Sequence, residues 1–507
     1  MRLKSIYAWS LVLAVYVWGF FHYAVWREGI VNGGDTWGYY AYLPAVFIHG
    51  DLARLDSSFA ARNAHHGGYW SAAMGHDAMG EAPRAPNGNR ILKYTSGVAA
   101  LQLPFFTLGH VTAKIMGYPA DGYSLPYRMW VHFSLVFYAL LGLWWLRRLL
   151  GYYFSDEVAA WLVLGLGLGT NLFYFSLHAL SHAYQFALYS LLLLSTHRFY
   201  ASYSTRWALV VGLSAGFIVL IRPVELIAVG IPLLYGYGLG VERRFREAWR
   251  AYLCAVGAFV AVGLLQFVYW KWSSGHWLYY SYGNERFYFD KPQIINGLWS
   301  YHNGLFAYTP LMYLAAFGGI IAYWRAPILL RRWWGLVPVL VLHVYITYSW
   351  WCWQYINGFG SRPMVDVYPA MAIFVGLVLA AARSWGRWLL NGFVLVCILL
   401  NQWHTQQVHW GVLWSEAANL AVYKRILFKS QLDYGDLVAY DTQYDYPEET
   451  KLRRVGALYA DKRADTALVV VHRDAQFHTI YESTAQAAAT APKPNQYLRI
   501  AARARKH

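Results

Sequence analysis

Apolar residues along this chain come in long runs, separated by short, mostly basic clusters, and runs of roughly twenty apolar residues are read as membrane-crossing helices. On that reading the pattern predicts about eleven spans, near 6 to 26, 128 to 147, 157 to 175, 179 to 197, 207 to 221, 224 to 241, 249 to 271, 304 to 324, 333 to 350, 364 to 382 and 388 to 404. The first run is too long for a signal-peptide core and no small-residue cleavage site follows it, so it is expected to stay as a helix.

Basic residues then orient the chain. Arg2/Lys4, Arg147/Arg148, Arg198/Arg206, Arg243/Arg244/Arg246/Arg250, Arg325/Arg331/Arg332 and Arg383/Arg387 all fall on one face, and the positive-inside bias makes that face cytoplasmic. The N-terminus is therefore expected inside and the C-terminus outside. One apolar stretch, Val98 to Met116, breaks the alternation if it spans. Pro104, Gly109, His110 and Lys114 interrupt it, so it is read as a re-entrant or interfacial helix.

The long loops then collect on the outer face: Arg27 to Tyr127, Asn171 to His182, Trp272 to Asn303, Trp350 to Arg362 and everything after His404. Elaborate loops mark the face where a protein meets its substrate. The expected organisation is a transmembrane region over 1–404, with 27–127 as its first outer loop, and an extracytoplasmic appendage over 405–507. That tail carries more charge, a β-like run at Ala467 to His472 and an Ala, Pro and Thr-rich stretch at Ala485 to Pro494.

Composition agrees with a lipid solvent: 58% of residues are hydrophobic and only 13% charged, against about a quarter charged in soluble domains. Aromatics reach 19%, with 26 Trp and 43 Tyr, suited to anchoring helix ends or lining a groove. The net charge of +16 lies in topological clusters rather than along one helix face, so no nucleic-acid partner is expected. Cys254, Cys352 and Cys397 lack disulfide or zinc spacing and read as buried small hydrophobes.

Candidate chemistry lies in the outer segments. Asp35, in Asn32-Gly33-Gly34-Asp35-Thr36-Trp37-Gly38-Tyr39-Tyr40, is placed either to act as a general base toward an acceptor hydroxyl or to cap a helix. Arg90 and Lys93, followed by Tyr94, could bind a lipid phosphate or snorkel to headgroups. Arg222-Pro223 puts a cation at the outer end of a helix, against the positive-inside bias; Glu225 could neutralise it. In the aromatic stretch from Trp350, Arg362 could hold phosphate or pair with Asp366 four residues on. His178 and His182 have the i, i+4 spacing of half a metal site, and His65/His66 and His76/Asp77 give a weak metal signal.

Together these features resemble the GT-C superfamily of membrane glycosyltransferases, which includes the protein mannosyltransferases and the lipid A aminoarabinose transferase. The likeness rests on Gly34-Asp35-Thr36-Trp37-Gly38-Tyr39-Tyr40, Lys93-Tyr94, Ser181-His182-Ala183-Tyr184, Ile221-Arg222-Pro223, Leu305-Phe306-Ala307-Tyr308-Thr309-Pro310 and Gly360-Ser361-Arg362-Pro363. The fold it implies is an all-α polytopic bundle with interfacial helices on the outer face of a bacterial inner membrane. The activity it implies is transfer of a sugar from a polyprenyl-phosphate-linked donor to a glycan, lipid or protein acceptor. Asp35 would activate the acceptor; Lys93, Arg222 and Arg362 would hold phosphate; Tyr94, His182, Tyr39 and Tyr308 would bind substrate. Many members carry a second acidic residue in the next outer loop, whereas Thr170 to Gln185 has neither Asp nor Glu. A divalent metal is thus in doubt, with Asp35, Asp77 and His178 as its candidate ligands, and the site is expected to use Asp35 alone or together with an acid of the first loop such as Asp77 or Glu81. Competing readings are a transporter or flippase of a lipid-linked or anionic solute, and a surface polysaccharide polymerase or ligase.

Overall fold

Nineteen residues from Ser5 to Tyr23 form α1, whose apolar sequence gives no reason to break until Ala24 turns into the left-handed region at φ 46°. Its start is tied down by polar groups: the Ser5 amide and hydroxyl both donate to Asp156, and Arg147 reaches the same hydroxyl at 3.0 Å. The structure is a computed structural model and describes residues 3–27, 34–65, 82–178, 180–236 and 245–441. These belong to one compact unit. The β-like run and the Ala, Pro and Thr-rich stretch of the tail lie outside them.

Further helices are the short α2 (Gly34–Tyr40) and the longer α3 (Gly97–Met116), α4 (Leu125–Leu150), α5 (Asp156–Leu168), α6 (His182–Ser202), α7 (Thr205–Ile221), α8 (Phe245–Ser274), α9 (Tyr313–Arg325), α10 (Leu336–Tyr348), α11 (Tyr368–Ala381) and α12 (Trp385–His409). Among the described residues there are no strands, only isolated bridges at Arg84–Arg90 and Phe287–Trp350. Among the described residues four segments are by themselves long and apolar enough to cross a membrane: Ser5–Arg27, Leu125–Leu150, Ala248–Ser274 and Arg362–Ala381. Thr205–Ile221, Pro223–Leu233 and Leu336–Tyr348 are apolar but shorter.

Several of the expected continuous spans are broken, and proline is the reason. Where 224 to 241 reads as one helix, the chain makes a 3-10 turn Pro223–Val229 and a short helix Gly230–Leu233. The 304 to 324 run divides into Leu305–Tyr308, Pro310–Met312 and α9, and α11 is preceded by a 3-10 turn Arg362–Val367. Proline has no N–H to continue a preceding helix but suits the first turn of a new one. Conversely, α3 is a single helix through Pro104. It runs back along only the first half of α4, with the Tyr138 hydroxyl on the Leu101 carbonyl and Trp130 Nε1 on Thr112.

Helix pairs separated by one intervening crossing run in the same direction. Tyr16 and Gly19 of α1 meet Gly167 and Phe173 in and beyond α5, Ser134 and Gly142 of α4 meet Tyr184 and Ala187 of α6, and Gly212 and Gly216 of α7 meet Ala255 and Val262 of α8. A Cβ on Gly212 would lie 2.1 Å from the Ala255 carbonyl oxygen, so only glycine allows this backbone approach, a device of helices that pack in lipid. On its other side α8 exposes Leu253, Val256, Val260, Leu264 and Val268, an apolar surface suited to lipid rather than water.

This alternation sends the C-terminal ends of α1 and α7 and the N-terminal ends of α6 and α11 to one end of the bundle. Arg147, Arg148, Arg198, Arg206, Arg250, Arg383 and Arg387 sit at the opposite helix ends.

Candidate functional site

At the first of these two ends, three carboxylates and three cations converge in pairs. Gly34, with φ +50°, opens α2 and puts Asp35 in its first turn. One Asp35 oxygen meets Arg362 Nη2 at 3.1 Å, while the other accepts a hydrogen bond from the Tyr94 hydroxyl. Beside it, Lys93 Nζ pairs with Glu285 at 2.6 Å and lies over the rings of Tyr94 and Tyr282. Deeper in the bundle, Asp366 is fully buried, accepting from Arg222 Nη1 and His182 Nδ1 through opposite oxygens, each at 2.8 Å. Proline starts the turns that present these groups: Pro223 follows Arg222 at the end of α7, and Pro363 follows Arg362.

A further buried layer supports this one. Glu225 accepts from the Tyr189 hydroxyl at 2.6 Å and lies 3.2 Å from His343 Nδ1, and His343 Nε2 is 3.2 Å from the Pro363 carbonyl oxygen. Because a carbonyl can only accept, His343 Nε2 carries hydrogen. The imidazole thus fixes the backbone next to Arg362 from behind.

Arg362 differs from its neighbours. Its side chain is 90% buried, at 10% relative exposure, yet Nε and Nη1 have no hydrogen-bond partner among the described residues. Buried donors left unmade are costly, and guanidinium groups match phosphate and carboxylate oxygens. Burial pushes the Asp35 carboxyl up, but the Arg362 guanidinium, the Tyr94 hydroxyl and Lys93 outweigh it and hold it below its ordinary value. Asp35 is therefore ionised at neutral pH.

No family model matches the chain, and no curated protein matches it. Among solved structures it is similar to the crystal structure of ArnT from Cupriavidus metallidurans bound to undecaprenyl phosphate, with a TM-score of 0.45 and 16% identity over 82% of this chain and 72% of that one. At that score and identity, the chemistry of the site rests on its own side chains.

Of the residues singled out in the sequence, Asp35, Lys93, Tyr94, Arg222, His182 and Arg362 come together here. Tyr39 joins them, with its ring 4.3 Å from that of Tyr94 and its hydroxyl near Ser181. Tyr308 faces another group, donating to the Tyr301 carbonyl and packing against Phe359, His404 and Tyr423. His178 and His182 do not share a helix face, since α6 begins only at His182. His178 stacks on Tyr174 and bonds its carbonyl, while His182 turns to Asp366. Among the described residues no three His, Cys, Asp or Glu side chains are placed to hold a metal ion. Asp77, Glu81, His66 and His76 lie outside the described residues, and His65 pairs with Asp121 at 2.6 Å.

The pairings that the sequence offers as structural alternatives are exchanged. Asp366 bonds Arg222 rather than Arg362, and Glu225 bonds Tyr189 and His343 rather than Arg222. Arg90 is buried against the Ala82 carbonyl instead of reaching headgroups. Cys397 is buried as expected, whereas Cys254 and Cys352 are only half-buried. Sequence reading gave Glu285 and His343 no role. His343 did carry a signal, because one imidazole inside the apolar run Leu336–Tyr348 needs a polar partner.

Proposed function

We propose that this protein is a GT-C-type glycosyltransferase that moves a sugar from a polyprenyl-phosphate-linked donor to an acceptor at the extracytoplasmic face of the membrane. The observation that carries this reading is the buried Arg362 guanidinium, with two nitrogens unpartnered among the described residues, next to an ionised carboxylate at the end of the bundle opposite the clustered helix-end arginines. In the proposed orientation that end faces outward, with the N-terminus cytoplasmic and the C-terminus extracytoplasmic.

The reaction breaks the bond between the sugar C1 and the phosphate oxygen and forms a bond from C1 to the acceptor oxygen. Asp35 takes the acceptor proton, and the electrons of the broken bond leave on phosphate. Fixed positive charge where the leaving group gains charge lowers the barrier, and Arg362, Arg222 and Lys93 supply it. Tyr39 and Tyr94, packed against each other beside Asp35, offer an aromatic wall to a sugar ring. Asp366 and His182 position Arg222.

Transfer of radiolabelled sugar from a membrane lipid extract to endogenous acceptors tests the proposal. Wild-type membranes should transfer label; Asp35→Asn should lose on the order of a hundredfold or more, the usual contribution of a general base, and Arg222→Ala should also fall. Full activity in Asp35→Asn would remove the base assignment.

A further inference from the structure

We propose that Arg362 serves Asp35 and the donor phosphate alternately, so that phosphate binding loosens the Asp35 carboxylate and the donor has to bind before the acceptor can be deprotonated. This rests on the function proposed above and adds an order and a device to it.

The geometry supplies the conflict. Arg362 meets Asp35 through one nitrogen only, Nη2, and its other two nitrogens are buried without partners among the described residues. A phosphate oxygen on either of them would share one guanidinium charge with the carboxylate, each anion within a hydrogen-bond length of about 3 Å of its own nitrogen. With only 10% and 28% of the two side chains exposed, little water remains to screen one anion from the other. The phosphate therefore weakens or replaces the Asp35 contact.

The consequence is chemical. While Arg362 and the Tyr94 hydroxyl hold Asp35, its oxygens are occupied and its basicity is low, which makes it a poor acceptor of a proton. Once phosphate takes the guanidinium, the carboxylate loses its strongest partner and its basicity rises where the acceptor hydroxyl arrives. An enzyme without donor is thus kept from activating water.

Binding of undecaprenyl phosphate to the purified full chain in nanodiscs tests this with a double-mutant cycle. Arg362→Ala should weaken binding, while Asp35→Asn should tighten it by on the order of tenfold, the usual size of a coupling between ligands. Asp35→Glu, which keeps the charge, should not tighten it, and the tightening by Asp35→Asn should be larger with Arg362 present than in the Arg362→Ala background, where only charge repulsion remains. Melting temperatures of all variants identify any that fail to fold. If Arg362→Ala weakens binding but Asp35→Asn leaves it unchanged or weaker, the alternation is wrong and the anion site stands. If Arg362→Ala has no effect, the anion site itself falls. Inorganic phosphate forms a second arm: tightening seen with the lipid alone assigns a membrane-borne ligand, and tightening seen with both extends the competition to any phosphate group.

Discussion

Asp366→Ala removes a fully buried carboxylate that accepts two hydrogen bonds at 2.8 Å, one from Arg222 and one from His182. The loss should reach about 3–5 kcal/mol, because truncating one member of a buried ion pair leaves the other charge uncompensated. Arg222 is only 18% exposed and cannot recover much hydration. Replacing Arg222 by Met and Asp366 by Leu together removes both charges and keeps most of the volume, leaving chiefly His182 Nδ1 unpaired at a cost of about 1–3 kcal/mol. The double variant should thus be more stable than Asp366→Ala by about 2 kcal/mol, although it lacks one of the cations assigned to phosphate. Equilibrium unfolding by SDS in bicelles measures both variants against wild type. A double variant less stable than Asp366→Ala would refute the reasoning, since it would mean that volume or hydrogen bonding, not the stranded charge, sets the cost.

Two other outcomes follow from contacts elsewhere. Gly318→Val should destabilise by at least about 1–3 kcal/mol, because even a Cβ there lies 2.0 Å from the Phe374 carbonyl oxygen and forces α9 away from α11; unchanged melting would mean that the two helices do not approach so closely. Asp35 is held below its ordinary value, so the stability it contributes is complete above the usual aspartate range of about 4 and is lost as pH falls through the lower folded value. The melting temperature of wild type should therefore exceed that of Asp35→Asn at neutral pH and converge on it in strong acid, and a gap independent of pH would contradict the pairing.

Hydropathy and charge order in the chain were enough to predict a helical bundle and to put Asp35, Lys93, Arg222 and Arg362 on one face of it; their joining in one site was what the family resemblance implied. Bundle and face are properties of local composition: apolar runs must bury their backbone in helices, and a cation at the wrong end of one stands out. Who pairs with whom was not legible. Arg362 and Asp366 are only four positions apart, yet the 3-10 turn after Ser361 sends their side chains to different partners. Arg362 turns to Asp35 and Asp366 to Arg222, 327 and 144 positions away. The same holds for Glu225 and His343, 118 positions apart. Lys93 and Glu285, separated by 192, are likewise joined only when loops from distant helices meet. Periodicity reports which face of a helix is apolar; it carries no information on which helices become neighbours. Packing decides that, through glycine contacts such as Gly212 on Ala255 and proline breaks such as Pro223 and Pro363, and with it which carboxylate neutralises which cation and which guanidinium keeps donors to spare.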